Sequence, residues 1–430
     1  MTYKETIEYL YNAAPMFQNI GAGAYKEGLY NTLALDEHMG HPHRAYKTIH
    51  VAGTNGKGSV SHTLAAILQQ AGYRVGLYTS PHLVDFRERI RVNGKMISKE
   101  RVVKFVAEER AFLEPLHPSF FELTTAMAFK YFQEQQVDVA LIEVGMGGRL
   151  DCTNIITPIL SIITNISKDH TQFLGKSFTD IAREKAGIIK RGVPVVIGET
   201  NGRWKVKKLF IEKAMQMESP ITLADEKGLV QKSEETARGT RTYQTSEWGT
   251  IESELGGYYQ IKNTATILMS VKELIEMGFN ISNSHINEGF RHVTSLTGLK
   301  GRWQVIRRHP LIVCDTGHNP GGFQYLVKQI SAQRCDKLHI VFGMVADKDV
   351  RSVINSLPMH AEYYFTQSSV KRSMPAEQLA SIAGKSGLKG KTFHDVASAF
   401  EAARTNAGPS DFIFVGGSSY VVADLLKLVK

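Results

Sequence analysis

Cysteine is scarce. The chain has 430 residues and three cysteines, Cys152, Cys314 and Cys335, too few and too scattered for a disulfide framework, which points to a reducing compartment. No apolar run approaches the roughly 18 residues that a membrane span needs. The opening MTYKETIEYL sets Lys and Glu among its apolar residues and holds no signal-peptide core. There is no internal repeat, no low-complexity tract and no N-K-x-D string of a guanine-nucleotide site. Excess charge is modest: 51 Lys and Arg against 42 Asp and Glu leave +9. The basic residues are spread out rather than clustered with aromatics, which argues against a nucleic-acid binder and leaves small anions as the expected partners. The expectation is a cytoplasmic protein with no membrane or nucleic-acid partner.

Hydrophobic residues make up 43% and charged residues 22%, which excludes wholesale disorder. At roughly 100–200 residues per domain, the length suggests two or three domains. The first forty residues read as helix and loop, broken by the Gly21-Ala22-Gly23 cluster. From Lys47, apolar runs at 47–52, 73–78, 137–143, 159–164 and 193–198 alternate with amphipathic stretches. One of these, 60–71, sets Val60, Leu64, Ile67, Leu68 and Ala71 on one helical face, with Gly72 to end it. Strand–helix alternation predicts an α/β fold with a doubly wound, mostly parallel sheet. The polar stretch 217–257 reads as short antiparallel strands at the domain's edge, and 261–277 as a helix. TSLTGLKGRW (294–303) reads as a Gly-punctuated joint, after which strands are expected at 311–315, 338–343, 361–365 and 411–415. This gives a domain at 1–297 and a smaller Rossmann-like α/β domain at 298–430.

The string Gly53-Thr54-Asn55-Gly56-Lys57-Gly58-Ser59 follows a strand and opens a helix. Glycines there let backbone N–H groups converge on phosphate oxygens, the helix N-terminus adds positive charge, and Lys57 supplies a point charge. Val51 stands where the common phosphate loop has its first Gly, and Gly58 separates Lys57 from Ser59. Further on, a strand ends in Glu143, ahead of Gly145-Met146-Gly147-Gly148-Arg149-Leu150-Asp151. A carboxylate there is an ordinary strand end or a hard oxygen ligand suited to Mg²⁺. The next strand ends in Thr164-Asn165, and His170 follows on the same sheet edge. Lys185, in R-E-K-A-G-I-I, reads on its own as an exposed helical lysine. Arg87, Arg89 and Arg91 would share one face of an extended segment, either a positive stripe for an anionic substrate or a solvated strand.

GTNGKGS resembles the signature of the folylpolyglutamate synthase/dihydrofolate synthase family, in the Mur ligase superfamily, and further motifs carry the resemblance over nearly the whole chain. They are T-S-P (79–81), E-V-G-M-G-G-R-L-D-x-T-N (143–154), D-H (169–170), E-K-A-G (184–187), Q-x-x-N (260–263), G-R (301–302) and D-T-G-H-N-P (315–320). The resemblance implies Mg²⁺ ligation by Ser80, Glu143 and His170, and a carbamylated Lys185 near a second Mg²⁺. It implies ATP contacts from Gly53, Thr54, Asn55, Gly56, Lys57, Gly58, Ser59, Asn263, Arg302 and Asp315, with His318 facing the reacting groups. Ser119, Phe121, Asp151 and Cys152 would line the pterin pocket, though Phe121 also reads as plain core. Arg87 replaces a common Asn of the family's mobile loop, and Tyr259 a His.

The activity implied is ATP-dependent addition of L-glutamate to a folate-type carboxylate through an acyl phosphate, with catalytic parts for Lys57, Lys185 and His318. The expected partners are ATP, L-glutamate and a reduced folate or dihydropteroate, and the enzyme is expected to act as a monomer. Two other readings stay open. A Mur-type peptide ligase shares the reaction, although a phosphate loop beginning at residue 53 leaves no obvious room for an extra N-terminal domain. A nucleic-acid-binding P-loop ATPase would fit the basic charge.

Overall fold

The computed structural model describes residues 1–13, 28–200, 202–236 and 238–429; the 21–23 glycine cluster lies outside them. The chain divides into two compact units, Met1–Glu254 with Gln260–Leu299, and Leu255–Tyr259 with Lys300–Lys430.

In the first unit eight strands form one sheet: β1 (Lys47–Ala52), β2 (Val75–Tyr78), β3 (Ile90–Val92), β4 (Lys95–Met96), β5 (Val139–Glu143), β6 (Leu160–Asn165), β7 (Val195–Glu199) and β8 (Ile221–Leu223). Their order is β4-β3-β2-β5-β1-β6-β7-β8. All neighbours from β2 to β8 pair in parallel, while β3 and β4 are antiparallel additions at one edge. The central strands are apolar runs because helices cover both faces. Along β5 the alternation is plain. Val139 and Leu141 pack with helices α1 (Lys57–Gln70), α4 (Gln260–Glu276) and α5 (Asn283–Arg291), whereas Ala140 and Ile142 pack beneath α2 (Phe120–Glu134). Helix α3 (Phe178–Lys185) covers β6 and β7 through Ile163 and Ile197.

The stretch expected to form edge strands divides. Residues 221–223 extend the large sheet as β8, and only β9 (Val230–Glu235), β10 (Arg241–Thr245) and β11 (Thr250–Ser253) make a separate antiparallel sheet. The reason is local: β8 runs straight out of a βα unit and pairs parallel to β7, where the sheet still offers an open edge. The start of the expected joint is also corrected. Val293–Thr297 is helical, and the loop begins only at Gly298, whose φ of +71° ends the turn.

The second unit holds a six-stranded sheet in the order β12-β13-β17-β14-β15-β16. Its strands are β12 (Gln304–Arg308), β13 (Leu311–Asp315), β14 (Leu338–Phe342), β15 (Glu362–Thr366), β16 (Gly390–Phe393) and β17 (Phe412–Gly416). All pairs are parallel except β12 with β13. Helix α6 (Pro320–Ala332) follows β13.

Helix α5 approaches α1 so closely that a Cβ on Gly289 would lie 2.7 Å from Ile67 Cα and 2.5 Å from its Cγ1. The backbone cannot yield, so Gly289→Ala should lower unfolding free energy by about 1–3 kcal/mol, read from the denaturant midpoint at unchanged m-value. A midpoint equal to the parent's would show that the helices separate freely.

Candidate functional site

The parallel strands β5, β1 and β6 are neighbours, so the loops at their C-terminal ends share one edge of the sheet, where α/β folds bind ligands. The loop after β1 is built on glycine. Gly53 has φ +146°, and a Cβ there would lie 1.8 Å from Thr164 Oγ1. Gly56, at φ +89°, precedes the first turn of α1, and a Cβ would meet Asn263 Oδ1 at 2.3 Å. The end of β6 holds the loop from below. Asn165 O accepts from Thr54 N at 3.0 Å, Asn165 Oδ1 accepts from Asn55 N at 3.0 Å, and Thr164 Oγ1 donates to Asn55 O at 2.6 Å. Thr54 Oγ1 donates to Ser167 O and accepts from Ser167 N, both at 3.0 Å. From α4, Gln260 Nε2 donates to Ser59 Oγ at 3.1 Å, and Asn263 Nδ2 donates to Gln260 Oε1 at 2.8 Å. With Gly58 buried beneath, the first turn of α1 presents the N–H groups that a helix leaves without intrahelical partners, the ordinary seat for phosphate.

Lys57 folds back over this loop, its Nζ donating to Gly53 O at 3.0 Å and to Thr54 O at 3.3 Å. Lys185 reaches the same carbonyl, its Nζ 2.9 Å from Gly53 O. It is 3% exposed, so reading it as an exposed helical lysine is wrong: the last residue of α3 points beneath the phosphate loop. Burial, and then the charge of Lys57, push its pKa down to about 7, against the pull of Asp169 and Asp151.

The loop after β5 interlocks with the segment carrying Lys185. A Cβ on Gly148 would lie 2.8 Å from Glu184 O, and one on Gly187 would lie 2.4 Å from Arg149 Cα. Arg149 N donates to Glu184 O at 2.8 Å, and the Arg149 guanidinium pairs with the Glu184 carboxylate. Asp151 closes the loop: Oδ2 accepts from Met146 N at 2.9 Å, and Oδ1 accepts from Thr153 N at 3.0 Å and Thr153 Oγ1 at 2.6 Å. Burial raises its carboxyl pKa even against these donors.

Glu143 ends β5 with its side chain buried, and Oε2 accepts from Ser80 N at 3.0 Å. Ser80 follows β2, the strand beside β5. The structure thus brings Ser80 and Glu143 together. His170 stands beyond β6 with φ +48°, partly exposed, its Nε2 3.9 Å from Asp169 Oδ1. Among the described residues no three His, Cys, Asp or Glu side chains form a ready metal cage. The Glu143 carboxylate and the Ser80 hydroxyl are hard oxygen donors that suit Mg²⁺, which keeps several waters and takes few protein ligands. These two residues fit the ion.

Phe121 lies over the start of the β5 loop. A Cβ on Gly145 would lie 2.5 Å from its Cζ, and its ring centre is 6.0 Å from that of Tyr78. Ser119 caps α2, its Oγ accepting from Glu122 N while Ser119 N donates to Glu122 Oε2. Cys152 follows Asp151 in a half-buried turn, where burial holds its thiol pKa well above the ordinary value, which argues against a nucleophile. The arginine stripe does not form. Arg87 and Arg89 sit in a helical turn at Phe86–Arg89, where Arg87 pairs with Asp85. Arg89 is buried against His82 Nδ1 at 2.8 Å, and Arg91 is buried with Nη1 on Gly94 O. Asp85 ahead of them and Glu88 among them turn the chain, because together they form its capping box.

In the second unit Asp315 ends β13. Its Oδ2 accepts from Tyr259 Oη and Trp303 N, both at 2.6 Å, and its Oδ1 accepts from Gly317 N at 2.8 Å. Burial raises its pKa, and the Tyr259 hydroxyl is pushed well up as well. Arg302 Nη1 donates to Gly301 O and the Thr316 hydroxyl. His318 Nδ1 is 3.1 Å from Thr316 O. Asn319 caps α6. Sequence reasoning did not assign Thr164, Asn165 or Thr153 any part in the site. Thr164 and Asn165 end a strand beside the loop and Thr153 stands in the 143–154 motif, signals that could have found them.

Two family models match the chain: the Mur ligase middle domain over residues 51–271 and the Mur ligase, glutamate ligase domain over 301–419. A dihydrofolate synthase/folylpolyglutamate synthase of Bacillus subtilis is 31% identical, over 94% of this chain and 95% of its own. A probable bifunctional folylpolyglutamate synthase/dihydropteroate synthase of Haloferax volcanii is 34% identical over 99% of this chain, which spans about half (50%) of that longer relative. Escherichia coli FolC in complex with DHPP and ADP superposes with a TM-score of 0.86 at 29% identity, covering 100% of this chain and 98% of that one. A bifunctional folylpolyglutamate synthase/dihydrofolate synthase with Mn, AMPPNP and L-glutamate bound gives 0.82 at 29%, covering 100% and 98%. The chain belongs to the folylpolyglutamate synthase/dihydrofolate synthase family of Mur-type ATP-dependent ligases.

Proposed function

We propose that this chain, acting as a cytoplasmic monomer, joins L-glutamate to the carboxylate of a folate-type substrate, dihydropteroate or a reduced folate. The γ-phosphoryl of ATP passes to that carboxylate to give an acyl phosphate and ADP. The glutamate amine then attacks the acyl carbon, forming the amide and releasing phosphate. The observation that carries this reading is the meeting of Lys57 and Lys185 on Gly53 O, between a phosphate loop and a second loop closed by Asp151.

Each part follows from its chemistry. The loop 53–59 and Lys57 bind and orient the phosphates, Asn263 borders Gly56 on the nucleotide side, and Arg302 offers a planar fork for phosphate oxygens. Asp315 fixes the loop after β13, and His318 orients the incoming amine, which must arrive deprotonated. Ser119, Phe121, Asp151 and Cys152 line the pterin pocket, with the Phe121 ring as its stacking plane. Glu143, Ser80 and His170 would hold Mg²⁺, which when bound neutralises charge on the phosphates. Lys185 supplies a neutral amine that can take up CO₂, releasing one proton and leaving a carbamate as a further anionic oxygen donor.

Replacing Lys57 with Ala should cut ADP formation by about 10²–10³-fold with an unchanged circular dichroism spectrum. Near-normal turnover would remove Lys57 from the phosphate site. In Glu143→Gln and His170→Ala, the Mg²⁺ concentration for half-maximal rate should rise about 10-fold or more, with pterin binding retained. Titration curves that overlay the parent's would make both residues structural.

For Lys185 the sign is set by its pKa of about 7. Below that pH the amine is protonated and cannot form a carbamate, so activity should fall as pH drops through about 7 and be partly recovered by bicarbonate. Lys185→Ala should lose activity and regain some with formate. Lys185→Arg should stay inactive, because guanidinium keeps its charge. A fully active Lys185→Arg enzyme would end the carbamate reading.

A further inference from the structure

His50 sits within β1, fully buried between Ile142 of β5 and Ser161 of β6. Its Nε2 is 2.8 Å from Thr153 Oγ1. The next link sets the direction of that bond. Thr153 has one hydroxyl proton and donates it to Asp151 Oδ1 at 2.6 Å, so towards His50 it can only accept. His50 therefore carries a proton on Nε2. Burial, and then the charge of Lys190, push its pKa down to about 3. Its Nδ1 lone pair is buried with no partner among the described residues.

An imidazole with an unsatisfied nitrogen is a poor filler for a strand whose adjacent residues are Ile49 and Val51. A valine or isoleucine would pack there without that defect. What the histidine alone adds is the Nε2–H donor. It orients the Thr153 hydroxyl towards Asp151, whose other oxygen holds Met146 N and so the turn of backbone beneath the Phe121 ring.

We propose that His50 is a positioning residue for the acyl substrate, acting through Thr153 and Asp151 to set the loop that floors the pterin pocket. The inference rests on reading Asp151 and Phe121 as that pocket. The phosphate loop is held mainly by other bonds, from Thr164, Asn165, Ser167 and Gln260, and meets the segment packed on the β5 loop only through Lys185. Loss of the relay should therefore be felt by the pterin more than by ATP.

The test is steady-state, glutamate-dependent ADP release with dihydropteroate and with tetrahydrofolate, on the full chain. Thr153→Val removes the hydroxyl at nearly constant volume, and His50→Leu removes the donor. Both should raise the pterin KM about tenfold, with the ATP KM within about twofold of the parent. Thr153→Ser keeps the hydroxyl, and His50→Gln places an amide donor near the Nε2 position, so both should restore the pterin KM to within about threefold. If His50→Leu does not fold, Thr153→Val carries the test. A pterin KM unchanged in Thr153→Val would overturn the proposal. So would a parallel rise in both KM values, or a His50→Gln enzyme as impaired as His50→Leu. A parent enzyme that releases no ADP with either pterin overturns the functional reading instead, which keeps the two failures apart.

Discussion

One carbonyl oxygen receives two ammonium groups. Lys57 and Lys185 both donate to Gly53 O, beside a helix N-terminus that itself favours negative charge. Two cations cannot share a dry site unless one gives up its proton or an anion arrives. The first outcome is what burial and Lys57 impose on Lys185. The second is what a phosphate, or a carbamate on Lys185 itself, would supply. The loop geometry serves this meeting: Gly53 needs its positive φ and its missing Cβ to pass Thr164 while its carbonyl meets both lysines.

The same constraint explains why two glycine-rich motifs, nearly forty residues apart in the chain, must be read as one object. Lys185 reaches Gly53 only if the end of α3 lies against the β5 loop, and there Gly148 and Gly187 each let the opposing backbone come within what a Cβ would occupy. The Arg149–Glu184 ion pair lies over this contact with the arginine half exposed, so it adds little compared with the packing below it. Asp151 completes the arrangement from inside by tying the start of the β5 loop to its end.

Much of this was legible in the residues. The runs at 47–52 and 311–315 match β1 and β13 residue for residue, because strands covered on both faces are short stretches rich in Val and Ile. The phosphate loop showed through its glycines, which local geometry demands. What stayed hidden depends on tertiary placement. Lys185 looks exposed by residue type, although at i+4 from Ile181 and i+3 from Ala182 it shares their buried face; what the sequence does not show is the Gly53 carbonyl it meets. The arginines at 87–91 look like a stripe until Asp85 and Glu88 cap a turn. His50 sits in a run that reads as strand whatever its side chain does, so its bond to a threonine 103 residues away leaves no periodic trace.

The second unit shows how a motif can depart from its pattern without losing its physics. Where the family pattern has histidine, this chain has Tyr259, within the five residues Leu255–Tyr259 that belong to this unit. Gln329, fully buried on α6, grips that segment at both ends of its amide, donating to Gly256 O at 3.0 Å and accepting from Tyr258 N at 2.8 Å. The phenol is thereby delivered to Asp315 at 2.6 Å, a short bond of the kind a carboxylate acceptor makes. An imidazole would bring the same single donor, but it can also gain a proton near neutral pH. The phenol cannot, and burial with the neighbouring carboxylate holds its own proton more tightly. The substitution therefore leaves Asp315 with a donor whose charge does not change across the working range of pH.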